Sequence, residues 1–317
     1  MTNFEKLNPK ARGMLEEMRR AARPDSSQIP IEDARANLER LMAEVGPGPG
    51  VQTVEERLIA TPPGPLPVRV YRGREASGSC PLIVYFHGGG HAQGSIATSD
   101  ALCRGLANAC RAIVANVEYR LAPEHQFPAA YEDAVFAVEW GLSSAAELGA
   151  DPTRVVVAGD SAGGNLTMAV LATTDLSQRV AAEILIYPLV SFARQGELYD
   201  DAFDDFFLNF AELEHFAELY IPAGIDRDDP RLSPLGATSL EEMPPSLIVA
   251  AECDPIHLQA EAADARLVEE GASSKLLVYD GMIHGFYGMT GLFEEAQAAF
   301  DDVATELDLI LGVPERA

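Results

Sequence analysis

Apolar positions along the chain fall into short runs, separated by longer stretches in which they recur every three or four residues. Runs at 67–72, 81–86, 112–119, 154–158, 182–187, 246–251 and 274–279 predict strands. Most of the intervals read as helices, as in 129–148, where Tyr131, Val135, Val138 and Leu142 form a stripe. Short apolar strands alternating with helices predict a mainly parallel sheet covered on both faces, an α/β fold. The alternation lapses over 191–240, where acids and aromatics mix, and that stretch reads as an insertion.

Residues 1 to about 45 read as helical, with Ile31, Ala34, Leu38, Leu41, Met42 and Val45 on one face opposite Arg35, Glu39 and Arg40. Gly46-Pro47-Gly48-Pro49-Gly50 then breaks any helix, because proline lacks a donor and glycine costs entropy. The expected organisation is an N-terminal helical arm over 1–50, a body over 51–190 and 241–317, and an insertion over 191–240.

A chain of 317 residues, 47% hydrophobic, can fill the core of one α/β domain with insertions. The formal charge of -26 argues against nucleic acid and anionic membranes as partners, since both would repel it. The only lysines are Lys6, Lys10 and Lys275; an arginine-biased ordinary surface explains this more simply than salt adaptation. The cysteines (Cys80, Cys103, Cys110, Cys253) show neither a CxxC nor metal-ligand spacing. Cys103 and Cys110 fall about 10 Å apart on a predicted helix, beyond the roughly 7 Å that a disulfide spans. With no apolar stretch of signal-peptide or membrane-span type, a cytoplasmic protein is expected.

The chemistry begins at Gly159-Asp160-Ser161-Ala162-Gly163-Gly164, between the strand 154–158 and a helical run from Asn165 to Leu171. Glycines flanking the serine let the backbone turn sharply and push the hydroxyl above the sheet. G-x-S-x-G alone is a weak signal; its strand-turn-helix setting strengthens it. His87-Gly88-Gly89-Gly90 directly follows the strand 81–86 and exposes N–H groups able to face an oxyanion. A phosphate loop is the rival, but Gly88, Gly90 and Gly94 miss G-x-G-x-x-G by one residue and no G-K-[ST] occurs. Asp254, past the strand 246–251, and His284, in the loop after the last strand, complete the order Ser161, Asp254, His284. Asp254 alone would read as a helix cap before Pro255, and His284 alone as an ordinary loop residue. The rival histidine, His257, lies three residues after Asp254, where a helical side chain would point toward the covering layer.

Together with Tyr119-Arg120-Leu121-Ala122-Pro123-Glu124-His125 and His284-Gly285-Phe286, these motifs resemble the hormone-sensitive-lipase-like α/β-hydrolases, the bacterial family IV esterases. The likeness runs from about residue 50 to the end. It implies an eight-stranded sheet, a helical cap built from the arm and the 191–240 insertion, and oxyanion donors on Gly88, Gly89 and Ala162. It makes the 119–125 motif structural and His125 non-catalytic. Two departures bear on the pocket: His91 stands where the family usually has an aromatic, and Asp254 leads into Pro255-Ile256-His257 rather than an Arg-Asp pair.

The expected activity is hydrolysis of short- to medium-chain carboxylic esters through an acyl-enzyme, without metal or cofactor. An amidase or formamidase on the same triad is the nearest alternative, and a non-catalytic ligand-binding module the more distant one. Phe203, Phe206, Phe207 and Phe210 are spaced to share one side of a helix; they either pack the insertion onto the body or close an acyl pocket. His91, Phe206, Phe207 and Phe210 are therefore candidate pocket residues. The partner expected is a small ester, with a homodimer contact along the edge strand near 274–279.

Overall fold

The computed structural model describes residues 3–21, 25–78, 80–194 and 196–313. The parts of the expected units at 1, 2, 22–24, 79, 195 and 314–317 lie outside the described residues.

Eight strands form one sheet: β1 (Thr53–Thr61), β2 (Gly64–Arg72), β3 (Leu82–Phe86), β4 (Ile113–Val117), β5 (Val155–Asp160), β6 (Ala182–Ile186), β7 (Ser246–Ala251) and β8 (Ser274–Tyr279). Their order is β1-β2-β4-β3-β5-β6-β7-β8. β1 and β2 form an antiparallel hairpin, β2 runs antiparallel to β4, and every later pair is parallel. Seven strands answer the apolar runs. β1 does not, because it is an edge strand whose Thr53, Val54, Glu55, Glu56 and Leu58 are exposed. Its Val54, Leu58 and Ile59 are interrupted by charge and make no continuous run.

The helices are α1 (Asn3–Lys6), α2 (Pro9–Arg20), α3 (Ile31–Val45), α4 (Asp100–Ala109), α5 (Ala129–Ser144), α6 (Ala162–Thr173), α7 (Phe210–Tyr220), α8 (His257–Glu269) and α9 (Glu294–Ile310). Strand alternation divides the core. Leu82, Val84 and Phe86 of β3 pack with α5, α6 and α8, whereas Ile83 and Tyr85 pack with α4 and α9. All four cysteines are buried and none is in a disulfide. Among the described residues, no helix is long and apolar enough to cross a membrane.

Two details of the arm and insertion differ from the sequence pattern. Arg35, expected on the polar face of α3, reaches into the body and donates to the carbonyls of Ala92 (2.8 Å) and Ala122 (2.9 Å). Its guanidinium also takes both carboxylate oxygens of Glu124 at 2.7 Å. Phe203 to Phe210 do not share a helix: a short 3-10 turn covers Asp201–Phe203, and α7 begins only at Phe210. Asp205 (φ +65°) and Phe207 (φ +77°) lie in the left-handed region between them, which ends any helical run.

Candidate active site

Ser161 sits between β5 and α6 with φ +51° and ψ −114°, a strained conformation for a residue with a side chain. The flanking glycines are a steric requirement. A Cβ on Gly163 would lie 1.9 Å from the Phe86 carbonyl oxygen, and one on Gly159 would lie 2.3 Å from the Gly163 carbonyl. The turn is pinned by hydrogen bonds from Ser161 N–H to Ile186 O (2.9 Å) and from Asn165 N–H to Ser161 O (3.0 Å).

Asp254 is fully buried beyond the end of β7. Its Oδ1 accepts the Ile256 N–H at 2.9 Å, and its Oδ2 accepts the His284 Nδ1–H at 2.6 Å. It both caps the turn before α8 and grips the histidine. His284 Nε2 lies 3.0 Å from Ser161 Oγ, close enough to accept its proton, and the Tyr187 ring packs 4.7 Å from the imidazole. The structure thus brings Ser161, His284 and Asp254 into one relay. His257 lies apart from it, at the start of α8, within 3.2 Å of Asp200 and 3.1 Å of Glu261. His125 is exposed.

The glycine loop corrects one expectation. The Gly88 N–H is not free for an oxyanion, because it donates to Asp160 Oδ1 at 2.8 Å. Among the described residues, the N–H groups of Gly89, Gly90 and Ala162 have no such partner, and all three residues line the cavity over Ser161. Gly89 has φ +120°, and a Cβ there would meet the Gln93 carbonyl oxygen at 2.2 Å. Asp160 is a functional residue that the sequence reading passed over as filler inside G-x-S-x-G. Burial raises its pKa, while its bonds from the Tyr85 hydroxyl and the Gly88 N–H stabilise the charged form.

The 119–125 motif is the platform under this loop. The Tyr119 hydroxyl donates to His87 O at 2.7 Å, and its ring stacks on the His87 ring at 4.3 Å. Arg120 forks onto the buried carboxylate of Asp133, and Ala122 N–H donates to His91 O at 2.9 Å.

Above Ser161 lies a cavity of about 510 Å³, roofed by Met18, Leu38 and Met42 from the arm and by Phe207, Leu213 and Phe216 from the insertion. Of the four candidate pocket residues, only Phe207 lines it. Phe206 is buried against Phe4 and Phe203, with ring centroids 5.8 Å away in each case. Phe210 is turned outward against Tyr199, 5.1 Å away. His91 is buried behind the loop, stacked on Tyr220. Without a continuous helix over 203–210, these aromatics diverge instead of forming one wall.

A serine on a strand-to-helix elbow, a histidine in reach and a buried carboxylate behind it define a serine hydrolase on an α/β sheet. The family model for the alpha/beta hydrolase fold matches residues 83–288. An arylesterase of Saccharolobus solfataricus is 32% identical over 284 residues, covering 89% of this chain and 92% of that protein. The carboxylesterase NlhH of Mycobacterium tuberculosis is 35% identical over 263 residues, 81% of this chain and 82% of that one. Among solved structures, an ester hydrolase from the metagenome of Lake Arreo superposes with a TM-score of 0.89 at 33% identity, covering 97% of this chain and all of that one. The chain belongs to the α/β-hydrolase fold family, in its hormone-sensitive-lipase-like group of bacterial family IV esterases, and is a carboxylic ester hydrolase.

Proposed function

We propose that the chain cleaves small, neutral, short- to medium-chain esters through an acyl-enzyme on Ser161. The observation that carries this reading is the relay from Ser161 Oγ through His284 to Asp254, at 3.0 and 2.6 Å, opening into the cavity above it. Ser161 Oγ attacks the ester carbonyl while His284 Nε2 takes its proton; Asp254 keeps the imidazole in the Nδ1–H tautomer and stabilises the imidazolium. The carbonyl oxygen, now an oxyanion, receives the N–H groups of Gly89, Gly90 and Ala162, which removing singly would cost roughly 3 kcal/mol each. His284 then hands its proton to the departing alkoxide. Water, activated by the same histidine, releases the acid and restores Ser161.

A cavity of about 510 Å³ must hold both the acyl and alcohol parts. Turnover should peak at about C4 to C6 acyl chains, since each further methylene adds its ~0.8 kcal/mol only while space remains. Similarity to proteins named as esterases favours esters over amides. The formal charge of -26 favours small neutral substrates over nucleic acids or anionic membranes. Four buried cysteines outside any disulfide support a cytoplasmic setting, and the open edge of β8, where Val278 is half-exposed, supports a homodimer.

A panel of p-nitrophenyl and alkyl esters, with matched amides alongside, tests this reading. A fluorophosphonate should label Ser161. Labelling elsewhere, faster amide turnover, or an optimum at C12 or longer would overturn it.

A further inference from the structure

His91 follows Gly90 directly, is fully buried, and holds a backbone φ of +59°. That conformation costs energy for a residue with a side chain and persists only where the surroundings impose it. The His91 carbonyl accepts the Ala122 N–H at 2.9 Å, and its ring lies parallel to Tyr220, 3° apart in plane and 4.0 Å between centroids. Tyr220 is the last residue of α7, whose Phe216 touches Gly90 and roofs the cavity. The stack therefore joins the cap helix to the residue next to an oxyanion donor.

The ring also lies beside α6, the helix that opens at the nucleophile. Asn165, whose N–H donates to Ser161 O at 3.0 Å, has its amide beside the His91 ring. Both ring nitrogens of His91, Asn165 Oδ1 and the Tyr220 hydroxyl are buried and lack hydrogen-bond partners among the described residues. A phenyl ring would fill the same space without stranding two nitrogens, so packing alone does not account for an imidazole here. Burial lowers the His91 pKa to about 3, and a neutral imidazole retains one N–H that a small closing movement would give to Asn165 Oδ1.

We propose that His91 is a positioning residue for ester hydrolysis: its ring ties Tyr220 of the cap to Asn165 behind the nucleophile, and thereby aims the Gly89 and Gly90 N–H groups. The inference rests on the oxyanion role assigned to those groups. Seating of α7 and readiness of the oxyanion hole are then one event.

The test compares wild type with His91→Ala, Tyr220→Leu, their double variant and His91→Phe. Active sites are counted with fluorophosphonate, and kcat, KM and the affinity of a trifluoromethyl ketone are measured. His91→Ala and Tyr220→Leu should each lower kcat by roughly 10- to 100-fold with KM within about threefold, because misaimed donors act in the transition state. Ketone affinity should fall in parallel, and the double variant should be no worse than either single one. His91→Phe, which keeps the stack but lacks the N–H, should recover kcat and ketone affinity in parallel and only in part, to levels between His91→Ala and wild type. Unchanged kcat in either single variant, losses confined to KM, or multiplying losses in the double variant would overturn the proposal. Should His91→Ala fail to fold, Tyr220→Leu and His91→Phe carry the test. Failure of the wild type to turn over esters or label at Ser161 would instead overturn the reading beneath it.

Discussion

Asp160 Oδ1 accepts the Gly88 N–H at 2.8 Å, so the residue preceding the nucleophile holds the start of the loop that faces it. The same carboxylate takes the Tyr85 hydroxyl from β3. One partly buried acid thus fixes the distance between the two halves of the site. Asp160→Ala should free the loop and lower kcat by roughly 100-fold with little change in KM, since the donors would no longer be preorganised. Steady-state kinetics on p-nitrophenyl butyrate decide it, and a rise in KM alone would mean that Asp160 serves binding.

The two histidines near Asp254 should separate cleanly. His284→Ala should lose ester turnover by three or more orders of magnitude, on the order expected when the general base is removed. His257→Ala should retain most of it, because His257 is engaged with Asp200 and Glu261. Parallel kinetics on both variants, with circular dichroism for folding, make the comparison. A selective loss at His257 would reverse the assignment.

What was legible in the sequence follows from what each feature depends on. Strands β3 to β7 are fully or almost fully buried, so nearly every position is apolar or small, Asn116, Asp160 and Glu183 excepted, and the run declares itself. Ser161, Asp254 and His284 are legible because each sits just beyond a strand, with glycines beside Ser161 and His284. The Asp160–Gly88 bond is not legible, for it spans 72 residues and depends on how two loops meet. Nor is Arg35: a helical wheel places it opposite the apolar face, yet its length carries the guanidinium to carbonyls of the body. The aromatic insertion misled because spacing alone carries no sign of the left-handed residues Asp205 and Phe207.

Glu183 makes stability depend on pH. It is fully buried in β6, its Oε1 accepts the Ser246 hydroxyl at 2.6 Å, its Oε2 has no partner among the described residues, and burial raises its pKa to about 7. A carboxyl with a raised folded-state pKa binds its proton more tightly folded than unfolded. Stability should therefore fall as pH rises from about 4.5 to about 7, by up to about 3 kcal/mol in total, and stay lower above that. Glu183→Gln should flatten this slope and raise Tm at pH 8, while changing it little at pH 4.5. Thermal melts across pH measure both; an unchanged profile would show that Glu183 does not titrate in this window.

Anchoring of α3 should be insensitive to mild acid. Hydrogen bonding from Arg35 lowers the Glu124 pKa to about 2. A depressed carboxyl contributes stability above its unfolded value and loses it only as pH falls toward 2. Arg35→Ala removes the anchor at every pH. Proteolysis at the Gly46–Gly50 joint should rise in that variant at pH 7, and KM should increase because Leu38 and Met42 roof the cavity. Wild type should show the same sensitivity only below about pH 4. Equal cleavage of both proteins at pH 7 would show that the arm is held by its apolar face alone.

Phe207 should govern the size of the alcohol rather than the length of the acyl chain. Its ring lies against Gly285, where an added Cβ would meet Phe207 Cε1 at 3.1 Å, and Gly285 directly follows His284. The departing alkoxide must receive its proton from His284 Nε2, so the alcohol occupies the side of the cavity that Phe207 closes. Replacing that ring with a methyl group opens room beside the leaving group without touching the relay. Phe207→Ala should therefore raise kcat/KM for esters of bulky secondary alcohols by about tenfold relative to ethyl esters, in the range that one or two extra buried methylenes supply. The acyl-length profile should stay as in wild type. Phe206→Ala should leave both profiles alone but lower Tm, because that ring fills the core beside Phe4 and Phe203, where such truncations cost roughly 3–5 kcal/mol. Phe210→Ala, at an exposed ring, should change little in either respect. Competition between ethyl and secondary-alcohol butyrates, followed for all three variants, reads the alcohol effect directly. A shift in acyl preference with unchanged alcohol preference in Phe207→Ala would place the acyl group, not the alcohol, beneath that ring.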